Sequence, residues 1–212
     1  FRCGFHEKNN TEVKYQTVHR LDSRYKIARR WLHEFLIEEN NRNDKGLVFF
    51  NILGLNLTNM NLESFGSSKS RDLIIYNRFL RTALKGANFL FKEYGKRVIT
   101  TIYHDKGSQE MHEYIPWHPG YRINLESDNE LSVGNEKIYF IDSNHRRYPT
   151  NDGFRNESQL IQFIDLIIGS VYCCLHNPTE RKEKREIGKV MKPLLSRLMN
   201  SPYNKKSSFH YY

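Results

Sequence analysis

Four carboxylates in this chain of 212 residues stand where chemistry is most easily built. Asp105 and Asp142 each close a run of strand-forming residues, IYHD and IYFID. Asp165 lies in the middle of the apolar stretch IQFIDLIIGS, and Glu12 lies in TEVKYQ, two residues before Lys14. An acid just past the last residue of a strand sits at the rim of a sheet, where α/β folds keep their sites. Asp165 is the most demanding of the four, because an unpaired carboxylate on a buried helix face must meet a cation, a group of donors or a cleft. Acids gathered at one rim repel each other, and a divalent ion relieves the repulsion; sites made of carboxylates alone suit Mg²⁺ or Mn²⁺, hard ions that keep waters and bind phosphate oxygens alongside. In an extended segment Glu12 and Lys14 share a face. Each residue also has a plainer reading: a strand-end aspartate caps a turn, Asp165 pairs with an arginine or lysine, and Lys14 is a surface lysine.

A second grouping, His104, Asp105, His112, Glu113 and His118, has the residue types of a zinc site. It lacks an H-E-x-x-H pattern or a cysteine pair, and substrate gating or aromatic packing by Trp117 accounts for the same loop.

The elements that must position these residues follow from periodicity. Apolar positions at helical spacing predict helices over 20–39, with Ile27, Trp31, Leu32, Phe35 and Leu36 on one face, and over 72–93. Residues 1–5, 11–18, 47–57, 97–103, 121–126 and 137–141 read as extended or strand. The stretch 158–175 is long enough for a helix that Asn177 and Pro178 stop. The last segment carries Ile187, Val190, Met191, Leu194, Leu195 and Leu198 at three-four spacing, with Pro193 kinking or splitting it. Strand and helix in alternation predict an α/β layered domain. The length and a 38% hydrophobic content support one domain, 1–178, with a basic helical extension, 179–212, packed on it.

Charge narrows the partners. The net charge is +9, and an excess of that size acts on long-range attraction to polyanions. Much of it lies in the last part of the chain, at Arg181, Lys182, Lys184, Arg185, Lys189 and Lys192. These are the candidate contacts to nucleic acid, RNA or DNA, although a solvated helix face reads the same way. The amphipathic face of this segment also serves a protein partner or self-association. No apolar run reads as a membrane span. Cys3, Cys173 and Cys174 form no disulfide framework or metal spacing, so a reducing, cytoplasmic setting is expected.

With these residues in view, a family resemblance emerges. Ile141-Asp142-Ser143, Glu157-Ser158 and the helix LIQFIDLIIG from Leu160 to Gly169 resemble the signature of the domain of unknown function 3800 family: a strand ending in Asp-Ser, then a helix with Gln three residues before Asp-Leu-Ile-x-Gly. TEVKY resembles that family's Glu-x-Lys-aromatic motif, and IYHD its central strand-end aspartate. The match runs from Glu12 to about Leu175. The resemblance implies a ribonuclease H-like mixed sheet flanked by helices and a metal-dependent nuclease activity. It also implies Mg or Mn held by Glu12, Asp105, Asp142 and Asp165, with Glu12, Asp105, Asp165 and Lys14 as catalytic candidates. The family's Asp-Glu-Ser-Gly first strand is not in this sequence; it is expected either upstream of Phe1 or lost. In the second case the fold survives as a catalytically inactive nucleic-acid-binding or assembly module.

Overall fold

A computed structural model describes residues 12–19, 21–38, 49–68, 70–90, 95–126, 130–149, 152–200 and 207–211. The strand expected over 1–5 lies outside the described residues. The protein is mixed α/β, with short two-stranded pairs among the described residues. It forms two compact units, each discontinuous in sequence: Phe1–Phe49 with Ile141–Lys206, and Phe50–Phe140 with Ser207–Tyr212.

The first unit is built on three helical elements. Helix α1, Ser23–Arg30, starts at Asp22, whose side chain accepts from the Arg24 and Tyr25 amides, a standard way to satisfy the first free N–H groups. It continues as π-helical turns over Trp31–Glu38. Ile27, Trp31, Leu32 and Leu36 are buried as the spacing predicts, and Ala28 is buried beside them. Helix α4, Phe154–His176, spans the expected 158–175 and ends where Asn177 takes the left-handed conformation, φ 43°, ahead of Pro178. Helix α5, Lys182–Asn200, packs along α4 and buries Ile187, Met191, Leu194, Leu195 and Leu198. Pro193 neither splits nor ends it. Trp31 meets Phe163 edge-on, ring centroids 6.2 Å apart, and joins α1 to α4. By length and composition α4 is apolar enough to cross a membrane, yet half of its most apolar 18-residue window is buried inside the protein, as in a core helix.

The second unit pairs its strands in twos. β1 (Phe50–Gly54) runs parallel to β6 (Ser207–Tyr211), and β2 (Arg97–Ile99) parallel to β4 (Leu131–Val133). β3 (Ile102–Asp105) pairs with β5 (Ile138–Ile141), whose last residue begins the return to the first unit. The strand expected over 97–103 is thus two strands broken at Thr100–Thr101. β4 and β6 have no counterpart in the sequence reading.

Residues 121–126, expected extended, belong to helix α3, His118–Glu126. Pro119 starts it with a preset φ. Asn124 then accepts the Val133 amide at 2.6 Å and donates to the Val133 carbonyl at 3.0 Å, completing the edge of β4 from the helix side. Gly120 makes room for this packing, since a Cβ there would lie 2.8 Å from the Glu136 Cα. Ile102, Ile123, Leu131, Val133 and Ile138 form the core beneath, with Leu80 and Leu84 packed on it from helix α2, Arg71–Leu90.

At the end of α3, Glu126 joins three cations, Lys85, Arg81 at 3.2 Å and Arg122 at 2.6 Å. The Lys85 hydrogen bond, with the two guanidiniums, holds its carboxyl below the usual 4.5. A carboxyl that binds its proton more weakly when folded stabilises the fold above its unfolded value and loses that contribution as pH falls through the folded one. Thermal melts from pH 7 to pH 3 should therefore show Glu126→Gln less stable than the parent chain at pH 7, with the two converging in acid.

Candidate functional site

Asp165, at the centre of the apolar helix, spends its charge on the main chain of a segment 150 residues away. Its Oδ2 accepts the Tyr15 amide at 2.7 Å. Three residues earlier, fully buried Gln162 accepts the Val13 amide through Oε1 at 2.8 Å. In an extended segment alternate amides point the same way, and residues three apart on a helix share a face, so α4 receives 12–15 as it would a strand edge. The segment then turns into the 3₁₀ helix Tyr15–Thr17.

Gly169 completes the face. It lies one further step along the stripe that carries Gln162 and Asp165, and a Cβ there would fall 2.1 Å from Cγ of Tyr15. The Tyr15 ring therefore lies directly on the α4 backbone. Lys184 stands over the ring, its Nζ 4.7 Å from the centroid. Burial, followed by the Cys173 thiol, keeps the Tyr15 phenol far above its ordinary value. Burial and Arg181 lower Lys184, against which the Asp165 charge works in the opposite direction.

Gln162 has a second duty. Its Nε2 donates to the Ser143 carbonyl at 2.6 Å and lies 2.9 Å from Nδ1 of buried His145. Ser158, one turn before Gln162, donates to the Asp142 carbonyl at 2.7 Å. The segment after β5 is thereby tied to the same stripe of α4 as 12–15. A single amide side chain thus satisfies the Val13 N–H and the Ser143 C=O, each of which costs about 1–3 kcal/mol if left buried without a partner.

Of the residues predicted from sequence, Glu12, Lys14, Asp142 and Asp165 all belong to the first unit. Glu12 Oε1 is 3.2 Å from Lys14 Nζ, a partly exposed pair. Asp142 turns inward on its own loop, Oδ1 accepting the Asn144 amide at 2.8 Å and Oδ2 pairing with Arg147 at 2.5 Å. Asp105 ends β3 in the second unit, exposed, and its carbonyl accepts from His104 Nδ1 at 2.5 Å. His104 Nε2 then accepts from the Tyr76 hydroxyl. His112 takes the Tyr114 amide at 3.1 Å, and His118 meets Asn77 at 3.3 Å. Among the described residues no group of three or more His, Cys, Asp or Glu side chains is placed to hold a metal.

The cysteines hold a seam. Cys174 Sγ donates to the Gly188 carbonyl at 2.6 Å, and Cys173 Sγ lies 3.6 Å from the Lys184 carbonyl, both across the α4–α5 contact. Burial and then Cys173 push the Cys174 thiol up to about 11, which leaves it a packing group at neutral pH. Of the candidate cations, Arg181, Lys182, Arg185, Lys189 and Lys192 are exposed. Lys189 pairs with Glu186 at 2.7 Å and Arg185 with Glu180 at 3.7 Å.

Sequence reasoning assigned Asp165 to chemistry and named Tyr15 and Gly169 only as members of the motifs that carry the resemblance, without a role. The signal that locates them is the spacing itself: an amide, an acid and a glycine at i, i+3 and i+7 describe one docking face. Comparison of the chain with protein-family models, curated proteins and solved structures finds no match.

Gly169→Ala should lower stability by about 1–3 kcal/mol, read as a shift in the urea midpoint. Tyr15→Ala in the same chain removes the ring that the new methyl meets, so the double variant should lose less than the sum of the singles by more than about 0.5 kcal/mol. Additive losses would mean that the ring does not rest on Gly169.

Proposed function

We propose that the first unit carries a metal-assisted phosphodiester-hydrolase site of the ribonuclease H-like kind, centred on Glu12 and Asp165, as the resemblance to the domain of unknown function 3800 family implies. The observation that carries this reading is the docking of 12–15 onto Gln162 and Asp165. Two motifs at opposite ends of the resemblance, and a third at Asp142–Ser143, converge on one stripe of one helix.

The residues fit the implied ion. Mg²⁺ keeps most of its waters and is commonly held by one or two carboxylates together with substrate phosphate, and Glu12 and Asp165 supply that many hard oxygen donors. Asp142, occupied by Asn144 and Arg147, fits less well. When bound, Mg²⁺ or Mn²⁺ would supply charge neutralisation at phosphorus and a more acidic water. The protein's own part is positional. Gln162 fixes the height of the segment on α4, Lys14 orients the Glu12 carboxylate, and the exposed cations of α5 contact the phosphate backbone without reading sequence.

A second reading has its own observation. Glu12, Asp142 and Asp165 each already serve a partner in the fold, as expected of a nucleic-acid-binding or assembly module that keeps the architecture without the chemistry. Asp165→Asn separates the two, because the amide oxygen still accepts the Tyr15 N–H while the charge is lost. Under the hydrolase reading, Mn²⁺ titration of the parent chain gives a saturable site, and Asp165→Asn and Glu12→Gln abolish both it and phosphodiester cleavage while each variant stays folded by circular dichroism. A parent chain that binds nucleic acid in a salt-dependent way but shows no site-specific Mg²⁺ or Mn²⁺ binding would leave the second reading in its place.

A further inference from the structure

The loop that precedes α3 in the second unit contains more aromatic surface than its core uses. Ile115, Pro119, Gly120 and Ile123 face inward and are buried. Tyr114, Trp117 and Tyr121 face outward, 47%, 41% and 40% exposed. The spacing 114, 117, 121 is that of one helical face, and the backbone bonds bear it out: the Trp117 and His118 amides both bond to the Tyr114 carbonyl, and the Tyr121 amide to the Trp117 carbonyl. The rings form a continuous row, with centroids 6.3 Å apart between Tyr114 and Trp117 and 5.7 Å between Trp117 and Tyr121.

Two features distinguish this row from ordinary exposed side chains. It is held in place: Trp117 Nε1 donates to the Glu113 carbonyl at 3.0 Å, and His118 meets both Tyr114 and Trp117 edge-on. It is also not closed on itself, since both contacts along the row have interplanar angles of 63° and neither is a parallel stack. A flat aromatic ligand can therefore enter face to face, and little conformational entropy remains to be lost when it does.

The charge beside the row indicates what kind of ring it would take. Arg122 follows Tyr121 directly, and it shares the single acid Glu126 with Arg81 and Lys85. Three cations share that one carboxylate, while Glu136, which lies against Gly120, is bonded to Asn124 and followed by Lys137. At the other end Glu110 is paired with Lys106 at 3.5 Å, and Glu113, exposed, stands beside Tyr114. Stacking faces flanked by surplus guanidinium and ammonium groups are the combination that binds unpaired bases together with their phosphates.

We infer that Tyr114, Trp117 and Tyr121 form a stacking platform for the bases of single-stranded nucleic acid, with Arg122 and its neighbours taking the adjoining phosphates. This rests on the nucleic-acid reading above and adds to it a preference for unpaired strands, which the α5 cations alone would not produce.

The two tryptophans make the test direct. Trp31 is fully buried and Trp117 is exposed, so quenching of intrinsic fluorescence by an added oligonucleotide reports on Trp117. Short oligothymidylate should quench saturably, and a duplex of the same length should quench far less. Trp117→Ala should abolish the quench and weaken binding of the same oligonucleotide, labelled and followed by anisotropy, by about tenfold or more, the usual share of one stacked base. Trp117→Phe, which keeps an aromatic face and the fold, should recover most of the affinity. Equal binding by the parent chain, Trp117→Ala and Tyr121→Ala overturns the platform. If Lys189→Glu with Lys192→Glu still weakens binding in that case, the nucleic-acid reading survives alone. If neither strand form binds, both fall; a proline-rich peptide that quenches where oligonucleotide does not overturns the platform alone.

Discussion

Two main-chain amides, those of Val13 and Tyr15, organise the first unit. Their donors lie against a helix whose surroundings are apolar, and a buried N–H without an acceptor costs about as much as a sizeable core truncation. Helix α4 meets the demand with one amide side chain and one carboxylate, three residues apart. Everything else on that stripe follows from bringing a chain segment so close. Gly169 must lack a side chain for the Tyr15 ring to lie on the helix, and Ser158 and Gln162 must reach the other way to hold the segment after β5.

The same geometry explains how an acid is tolerated in the most apolar helix of the chain. Asp165 is only partly buried, accepts a short charge-assisted bond, and feels the Lys184 ammonium that stands over the Tyr15 ring. A charge-assisted bond of this kind is roughly twice as strong as a neutral one.

The second unit solves a comparable problem differently. Its strand pairs are short, and short strands leave edges. Asn124 of α3 closes one of them by bonding both the N–H and the C=O of Val133. Asn51 in β1 does related work by donating to the Ala83 carbonyl at 2.9 Å, close to Gly86 of α2. Side-chain amides, rather than a wide sheet, fasten the helices to the strands there.

The helices could be read from the residues alone, because a buried stripe repeats every three or four positions over many turns: Ile27 to Leu36, the run in α4, and Ile187 to Leu198 all lie where their spacing puts them. The mixed α/β class came from the same source. Residues 121–126 were misread because six residues are too few to separate the two periods, and the cause of their helicity, Pro119 together with the fit of Gly120 against Glu136, involves a neighbour outside the segment. β4 and β6 went unread for the same reason: three residues of LSV become a strand only beside Arg97–Ile99, and Ser207–Tyr211 only beside Phe50–Gly54. The resemblance to the family signature marked Gln162, Asp165 and Gly169 as a set. That the set exists to receive Val13 and Tyr15 is a matter of which amides folding leaves without water, and no local pattern records a hydrogen bond formed across 150 positions.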